Sequence, residues 1–344
     1  MNKKVLFALP LITCMLASCG GKMHYASREY EIPVEWKDPT KDFRILQLCD
    51  IHLSQSDIFE RHFKIIGKTI KDSNADLIVL NGDSFTYADK GVVVRLFSFI
   101  DSYNIPWTFT YGNHDDQGYY SDTYIQRCLG EQGLFKNVKF VNLEDDDVTG
   151  RSNFAINVYT GENETVGIDM FQIYCLESHS YNFDTINYDY IKQDQIDWYE
   201  RMVNYYRYDR NGGVILPSLM YFHIPLPEFF TGWNDAVNGK PEAIKIKGTT
   251  DEFGGGPLPE SDTHLFDKVL ELESTKVISC AHDHINDSVI EYKGVNLCFG
   301  VHSTDRIYYD AKKIGGQVIS IDPVDQWTFD FENIYFTYDE LEAK

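Results

Sequence analysis

Basic residues are scarce in this chain. Lys and Arg number 31 against 53 Asp and Glu, a formal net charge of -22 over 344 residues. Such a chain is a poor match for a nucleic-acid polymer, whose phosphates call for a basic surface. A small phosphorylated substrate stays open, because bound cations can reverse the sign of a local site. Paired cysteine spacings are missing too. The seven cysteines form no CxxC, and Cys49, Cys128, Cys175, Cys280 and Cys298, those beyond residue 19, are odd in number. This argues against a disulfide framework. Cys49, Cys175, Cys280 and Cys298 lie in apolar runs and read as buried free thiols. The apolar run Val5–Leu16 is shorter than the roughly 20 residues a membrane-spanning helix needs. No low-complexity tract, internal repeat or linker interrupts the chain, and 43% hydrophobic residues suffice for one sizeable core.

What the N-terminus does carry is a targeting pattern. Lys3 and Lys4 precede the apolar run, which ends in Leu16-Ala17-Ser18-Cys19 followed by Gly20-Gly21. This resembles a bacterial lipobox, in which the signal is cut before the cysteine and the thiol carries lipid. The alternative, an ordinary secretory signal cut near Ser18, leaves Cys19 incidental. The expected organisation is a signal peptide over 1–18, a tether over 19–42 and one domain over 43–344. The expected location is the cell envelope, periplasmic or surface-exposed, with the membrane reached through lipid on Cys19.

Within the domain, short apolar runs alternate with amphipathic segments. Arg44–Cys49, Leu77–Leu80 and Trp107–Tyr111 read as strands, and Ile58–Ile70 and Val92–Tyr103 as the helices between them. That βαβαβ order implies parallel strands with right-handed crossovers. Asn153–Tyr159 and Gly167–Leu176 read as a hairpin. A long helix over Asp189–Tyr208 and a strand over Val214–Phe222 follow. Residues 231–260, with their Gly and Pro, read as an irregular excursion. A helix over Asp262–Leu272 and a strand over Lys276–Cys280 come next. The remaining strands, Ser288–Tyr292, Val295–Phe299, Gln317–Ile321 and Trp327–Phe331, are expected to be antiparallel. The fold class is α/β, a four-layer αββα sandwich of two mixed sheets flanked by helices.

Five polar motifs each follow an apolar strand directly. They are Asp50-Ile51-His52, Gly82-Asp83, Gly112-Asn113-His114-Asp115, Phe222-His223 and Ala281-His282-Asp283-His284. Ligands of open α/β sheets bind outside the carboxyl ends of strands, so five strands can deliver these groups to one place. Two carboxylates, one amide oxygen and four imidazoles suit Fe, Mn or Zn. An extended D-x-H or H-x-H puts both side chains on one face. Asp50, His52, Asp83, Asn113, His223, His282 and His284 are too many for one tetrahedral ion. They suit two ions sharing a carboxylate, roughly 3.5–4 Å apart, which can clamp both oxygens of an in-line phosphoryl displacement.

The ordered set D-x-H, G-D, G-N-H-[D/E], H and G-H-x-H resembles the calcineurin-like metallophosphoesterase superfamily, over about residues 43–310. The runs YFHIPLPEF (221–229) and AHDHIND (281–287) are similar to its purple-acid-phosphatase-like branch. The resemblance implies that Asp50, His52, Asp83 and His284 hold one metal. Asp83 then bridges to a second, held also by Asn113, His223 and His282. A metal-activated hydroxide attacks phosphorus, His114 protonates the leaving oxygen, and Asp115 orients its imidazole. Two departures stand out. Ala281 replaces a glycine. The tyrosine ligand of the purple enzymes falls three residues after the bridging Asp, whereas Tyr87 lies four after Asp83, which implies a colourless dimetal centre. The implied activity is hydrolysis of a small phosphate ester, with diesters, nucleotides or a non-catalytic binding role as alternatives.

Other groups stay open. His62 and His264 read as helix residues. His179 and His302, at strand exits, either line the substrate pocket or are satisfied loop histidines. Arg306 either binds phosphate or pairs with a surface acid.

Overall fold

The computed structural model describes residues 26–55, 59–118, 121–131, 133–143, 145, 147–151, 153–182, 184, 187–253, 264–337 and 340. The expected signal peptide and Cys19 lie outside the described residues. Among those described, no helix is long and apolar enough to cross a membrane.

Two mixed sheets carry the fold, their strands numbered along the chain. The larger runs in the spatial order β1 (Glu31–Glu35), β5 (Phe154–Thr160), β6 (Ile168–Cys175), β9 (Ser218–Tyr221), β11 (Thr275–Cys280), β13 (Val295–Phe299), β12 (Val289–Tyr292) and β10 (Ala243–Lys247). The smaller has the order β15 (Phe329–Tyr335), β14 (Gly315–Ile321), β2 (Phe43–Leu48), β3 (Leu77–Asn81) and β4 (Trp107–Thr110). A two-stranded ribbon, β7 (Tyr181–Asn182) and β8 (Asn187–Tyr188), stands apart from both. The first crossovers are as expected: β2, β3 and β4 are parallel neighbours, joined by α1 (Phe59–Ser73) and α2 (Lys90–Asp101). α3 (Ser121–Gly130), α4 (Gln193–Asn204), α5 (Pro227–Val237) and α6 (Leu265–Leu272) complete the α-helices among the described residues, and a π-helix over Tyr205–Arg210 continues α4.

Burial follows the period-two alternation of strands. Ile173, Cys175, Leu219, Tyr221, Val277 and Cys298 of the large sheet share one core with Ile45, Leu46, Ile78 and Leu80 of the small sheet. That core also takes in Ile65, Ile66 and Ile70 of α1 and Val93, Leu96 and Phe97 of α2. The alternate residues Tyr174, Met220, Phe222, Ile278, Cys280 and Leu297 form a second core with Trp198, Tyr199 and Met202 of α4, Phe229 of α5 and Phe266 of α6. Helix, sheet, sheet and helix therefore stack as four layers. Each fully buried Leu, Ile or Phe contributes about 1.5–3 kcal/mol.

Three segments differ from expectation. Residues 31–35, read as tether, pair in parallel with β5 at the edge of the large sheet, and Tyr30, Val34 and Trp36 are buried. Pro33 and the flanking acids obscure that strand in the sequence, and an edge position is where a strand tolerates proline. Residues 231–260 are not wholly irregular: α5 and edge strand β10 occupy much of their first half, whereas 254–260 lie outside the described residues. Lastly, β13 lies parallel to β11, though antiparallel to β12.

Candidate metal centre

The strands β2, β3 and β4 of one sheet and β9 and β11 of the other end together, and all five motifs leave from those ends. Beneath them, three buried polar side chains knit the sheets. Gln47 Nε2 donates to the Cys280 carbonyl at 2.9 Å. Asn81 Nδ2 donates to the carbonyls of Phe222 (3.2 Å) and Ser279 (3.3 Å). The Thr110 hydroxyl donates to Asn81 Oδ1 at 2.8 Å. Such fully satisfied buried networks fix one arrangement of the groups above them.

Above this floor the backbone departs from extended geometry. Asp50 (φ 52°), His52 (51°), Asp83 (49°) and His282 (76°) are left-handed, so the expected alternation on an extended strand end does not apply. A non-glycine residue held there costs roughly 1–3 kcal/mol and tends to mark a functional site. Local bonds hold the conformation: Asp50 N–H donates to the Gly82 carbonyl (3.2 Å), His52 N–H to the Asp83 carbonyl (2.9 Å), and His114 N–H to Asp83 Oδ1 (2.7 Å). Two glycines are required by close approach. A Cβ on Gly112 would sit 2.2 Å from Asp83 Oδ1, and one on Gly82, itself at φ +81°, 2.3 Å from His223 Nδ1. Ala281 is buried with no positive φ, so the change from glycine is accommodated.

The side chains converge as the motifs imply. Donor atoms of Asp83, His223 and His282 lie within 4.8 Å of one another, and so do those of Asp50, His52 and Asp83. Asp83 belongs to both groups, the place of a bridging carboxylate. Asp50 forms a third such group with His284 and His302. Hydrogen bonds to backbone carbonyls, which only accept, fix two tautomers. His223 Nδ1–H donates to Asn81 O at 3.1 Å, and His284 Nδ1–H to Tyr308 O at 2.8 Å. His284 Nε2 is thus left with a lone pair, and His223 Nε2 gains one once its proton leaves, as metal-binding histidines require. His284 Nε2 faces His52 Nε2 at 3.0 Å.

These donors fit a pair of cations. Asn113 Oδ1, Asp83 Oδ2 and His223 Nε2 are buried without a hydrogen bond of normal geometry, the last two facing each other as an ion pair at 3.2 Å, and buried polar atoms in that state call for an explanation. Asn113 Nδ2 donates to the Tyr181 hydroxyl at 3.3 Å, which leaves its oxygen facing the site. Electrostatics agree. Burial disfavours protonated His223, but the Asp83 carboxylate 3.2 Å away raises it to about 9. Burial also raises Asp83, yet the imidazoles of His223, His52 and His114 outweigh it and hold the carboxyl below its usual range. The cluster demands positive charge, and a cation supplies what the His223 proton otherwise would.

The expected partner of His114 is corrected. Asp115 is buried and accepts from the backbone N–H groups of Asp83 (2.8 Å), Phe85 (2.9 Å) and Gly112 (2.7 Å). It clamps two motif loops together, and none of these bonds goes to the His114 imidazole. Gln117 Oε1 instead bonds His114 Nδ1 at 2.7 Å. Gln117 stands four residues beyond Asn113, and no spacing rule singles it out. His179 is a satisfied loop histidine, with Nε2 at 2.8 Å from Gln195 Oε1. Arg306 donates to Ser54 Oγ at 3.2 Å, beside the first motif. Tyr87 is 69% exposed, away from the buried donors. His62, read as a helix residue, lies in α1 and is buried against Asp305 (3.1 Å). Aromatic rings rim the site unannounced by the sequence: Tyr188 stands edge-on to His282 (4.3 Å between centroids), and Tyr308 stacks on His284 (4.1 Å).

Comparison with known proteins agrees with this geometry. Residues 43–286 match the calcineurin-like phosphoesterase family. A relative named probable inactive purple acid phosphatase 29, from Arabidopsis thaliana, is 26% identical over 75% of this chain and 71% of its own length. The phosphatase DCR2 of Saccharomyces cerevisiae is 25% identical over 75% of this chain, which spans 47% of that protein. Among solved structures, GAP50, described as the anchor in the inner membrane complex of Plasmodium, shares the fold with a TM-score of 0.50, at 10% identity over 88% of this chain and 92% of its own. A dimetal phosphatase from Danio rerio, with a TM-score of 0.48, is 10% identical over 87% of this chain and 100% of its own. With its family match, its four layers and its paired Asp/His donor groups, this chain belongs to the calcineurin-like phosphoesterases.

Proposed function

We propose that the chain is a dimetal hydrolase of small phosphate esters. One observation carries the reading: the orphaned buried atoms Asp83 Oδ2, Asn113 Oδ1 and His223 Nε2 belong to the residues that the family pattern assigns to metal. Bound there, two cations polarise the phosphoryl group and lower the pKa of an attacking water. Asp50, His52, Asp83 and His284 would hold one, and Asp83, Asn113, His223 and His282 the other, as Fe, Mn or Zn. His114 is half-buried at the edge of the donors, its ring 5.1 Å from that of His52. Gln117 Oε1 accepts from Nδ1–H of His114 and fixes the ring. Nε2–H is left to hand a proton to the leaving oxygen.

The competing reading is a non-catalytic binder, and the name of the Arabidopsis relative calls that protein inactive. The intact donor set and His114 favour catalysis in this one. Metal analysis with a panel of phosphomonoesters, diesters and nucleotides discriminates. Two ions per chain with turnover that Asp83→Asn and His223→Ala abolish supports the hydrolase. Folded, metal-loaded variants with full activity sink it.

The same proposal places the domain at the cell envelope, with residues 1–18 removed and lipid on Cys19. The sequence Leu16-Ala17-Ser18-Cys19 supports it. Cys19→Ser should move the protein from the membrane fraction to the soluble one, and unchanged membrane retention refutes the lipid anchor.

A further inference from the structure

One buried histidine beside the donor set has no place in the family pattern. His302 follows β13, and its backbone is pinned against the end of β2. Residues Cys49 and His302 form an isolated parallel bridge, Ser303 N–H donates to Cys49 O (3.1 Å), and Cys49 N–H donates to Ser303 Oγ (2.9 Å). Gly315 N–H holds the His302 carbonyl at 2.8 Å. The residue that follows β13 is thus fixed next to the strand that delivers Asp50 and His52.

The ring is 1% exposed. Its Nε2 lies 3.1 Å from the Arg306 carbonyl. A carbonyl only accepts, so Nε2 carries the proton and Nδ1 keeps a lone pair. That Nδ1 is buried with no hydrogen-bond partner. The ring stacks on His284, with centroids 4.5 Å apart and planes at 22°. It offers a nitrogen within 4.8 Å of both an Asp50 carboxylate oxygen and a His284 ring nitrogen. This is the arrangement seen at His223: Nδ1 committed to a backbone carbonyl, the other nitrogen buried among donors without a hydrogen bond. A bare lone pair among a carboxylate and other lone pairs is repulsive unless a cation lies between them.

We propose that His302 is a further metal ligand, binding through Nδ1 the cation held by Asp50, His52 and His284. The inference rests on the dimetal reading and adds a fifth imidazole to it.

The first test reads the wild-type protein, so folding of a variant is not at issue. In the Co2+-loaded protein every ligating imidazole shows a paramagnetically shifted, exchangeable N–H signal in proton NMR. A set assignable to His52, His223, His282, His284 and His302 is expected, and absence of the His302 signal overturns the proposal. The second test is metal competition against a chelator. His302→Ala should weaken one of two sites by at least 10-fold and leave the other unchanged. His302→Asn, whose amide oxygen can stand near Nδ1, should recover part of the loss. Two sites of wild-type affinity in His302→Ala, with an unchanged Co2+ absorption spectrum, refute the ligand role. Should wild-type protein take up no metal at all, the dimetal reading fails and this proposal falls with it.

Discussion

Removing the Asp115 carboxylate tests whether that residue builds the site or works in it. Its two oxygens accept three buried backbone N–H groups, from Asp83, Phe85 and Gly112. In Asp115→Ala those donors lose their acceptor, and each unsatisfied buried group costs about 1–3 kcal/mol. The sum is about 3–9 kcal/mol. Part is offset because a carboxylate raised by burial and by the nearby Asp83 no longer has to be desolvated. A net loss of about 2–5 kcal/mol is expected, a large share of the 5–15 kcal/mol that holds a typical domain folded. Asp115→Asn retains one acceptor oxygen and should lose less.

The assay is reversible urea unfolding, followed by tryptophan fluorescence, of metal-free and metal-loaded protein. Both forms are needed, because any ligand of the native state adds its own stabilisation. Metal-free Asp115→Ala should show a clearly lower midpoint, and its metal affinity should fall because the Asp83 loop loses its clamp. If the unfolding free energy stays within about 0.5 kcal/mol of wild type while turnover collapses, the clamp reading is wrong. Asp115 would then act on His114 after all.

The donor set was legible because its chemistry is local. Each metal-binding group lies within a few residues of a strand end, and an apolar run such as LIVL or KVISC advertises that end. The same locality made β2, β3 and β4 and their two crossovers readable. What stayed hidden depends on contacts between distant segments. Asp115 looked like a partner for its neighbour His114, but sequence adjacency says nothing about which backbone amides fold over a carboxylate. His302 is readable as a strand-exit histidine, but nothing in the sequence sets it against Cys49, the bridge that brings it beside Asp50 and His284. The left-handed φ of Asp50, His52 and Asp83 was also invisible, since these residue types carry no glycine signal. Edge strands β1 and β10 escaped for a different reason. One face of an edge strand's backbone has no partner, so Pro33 is tolerated in one and exposed Ile244 and Ile246 in the other, and neither shows a clean buried pattern.

Replacing Gln117 with Ala frees the His114 ring without unpairing a buried backbone group. A fall in kcat of about 10-fold with near-native urea midpoints is expected from loss of a positioned acid, and an unchanged kcat refutes that positioning role. Gly112→Ala drives a Cβ into Asp83 and should weaken metal binding at least about 10-fold. Gly294→Ala has φ +80° but nothing within 4 Å, so it should cost only about 1 kcal/mol of backbone strain and leave metal affinity intact. Equal metal affinities in the two variants would remove the steric argument. The last prediction concerns the His223 proton. In metal-free protein its pKa is raised to about 9 from an ordinary 6.5, by Asp83 against the opposing effect of burial. A raised pKa means the folded state binds the proton more tightly than the unfolded state. That stability is complete below pH 6.5 and disappears as pH climbs through about 9. A cation at Nε2 displaces the proton, so metal-loaded protein should lose this slope. Metal binding near pH 7.5 should also release a proton from this site. Calorimetric titrations in buffers of different ionisation enthalpy read that release. A binding heat independent of buffer would show that His223 is already neutral and that Asp83 does not hold a proton beside it.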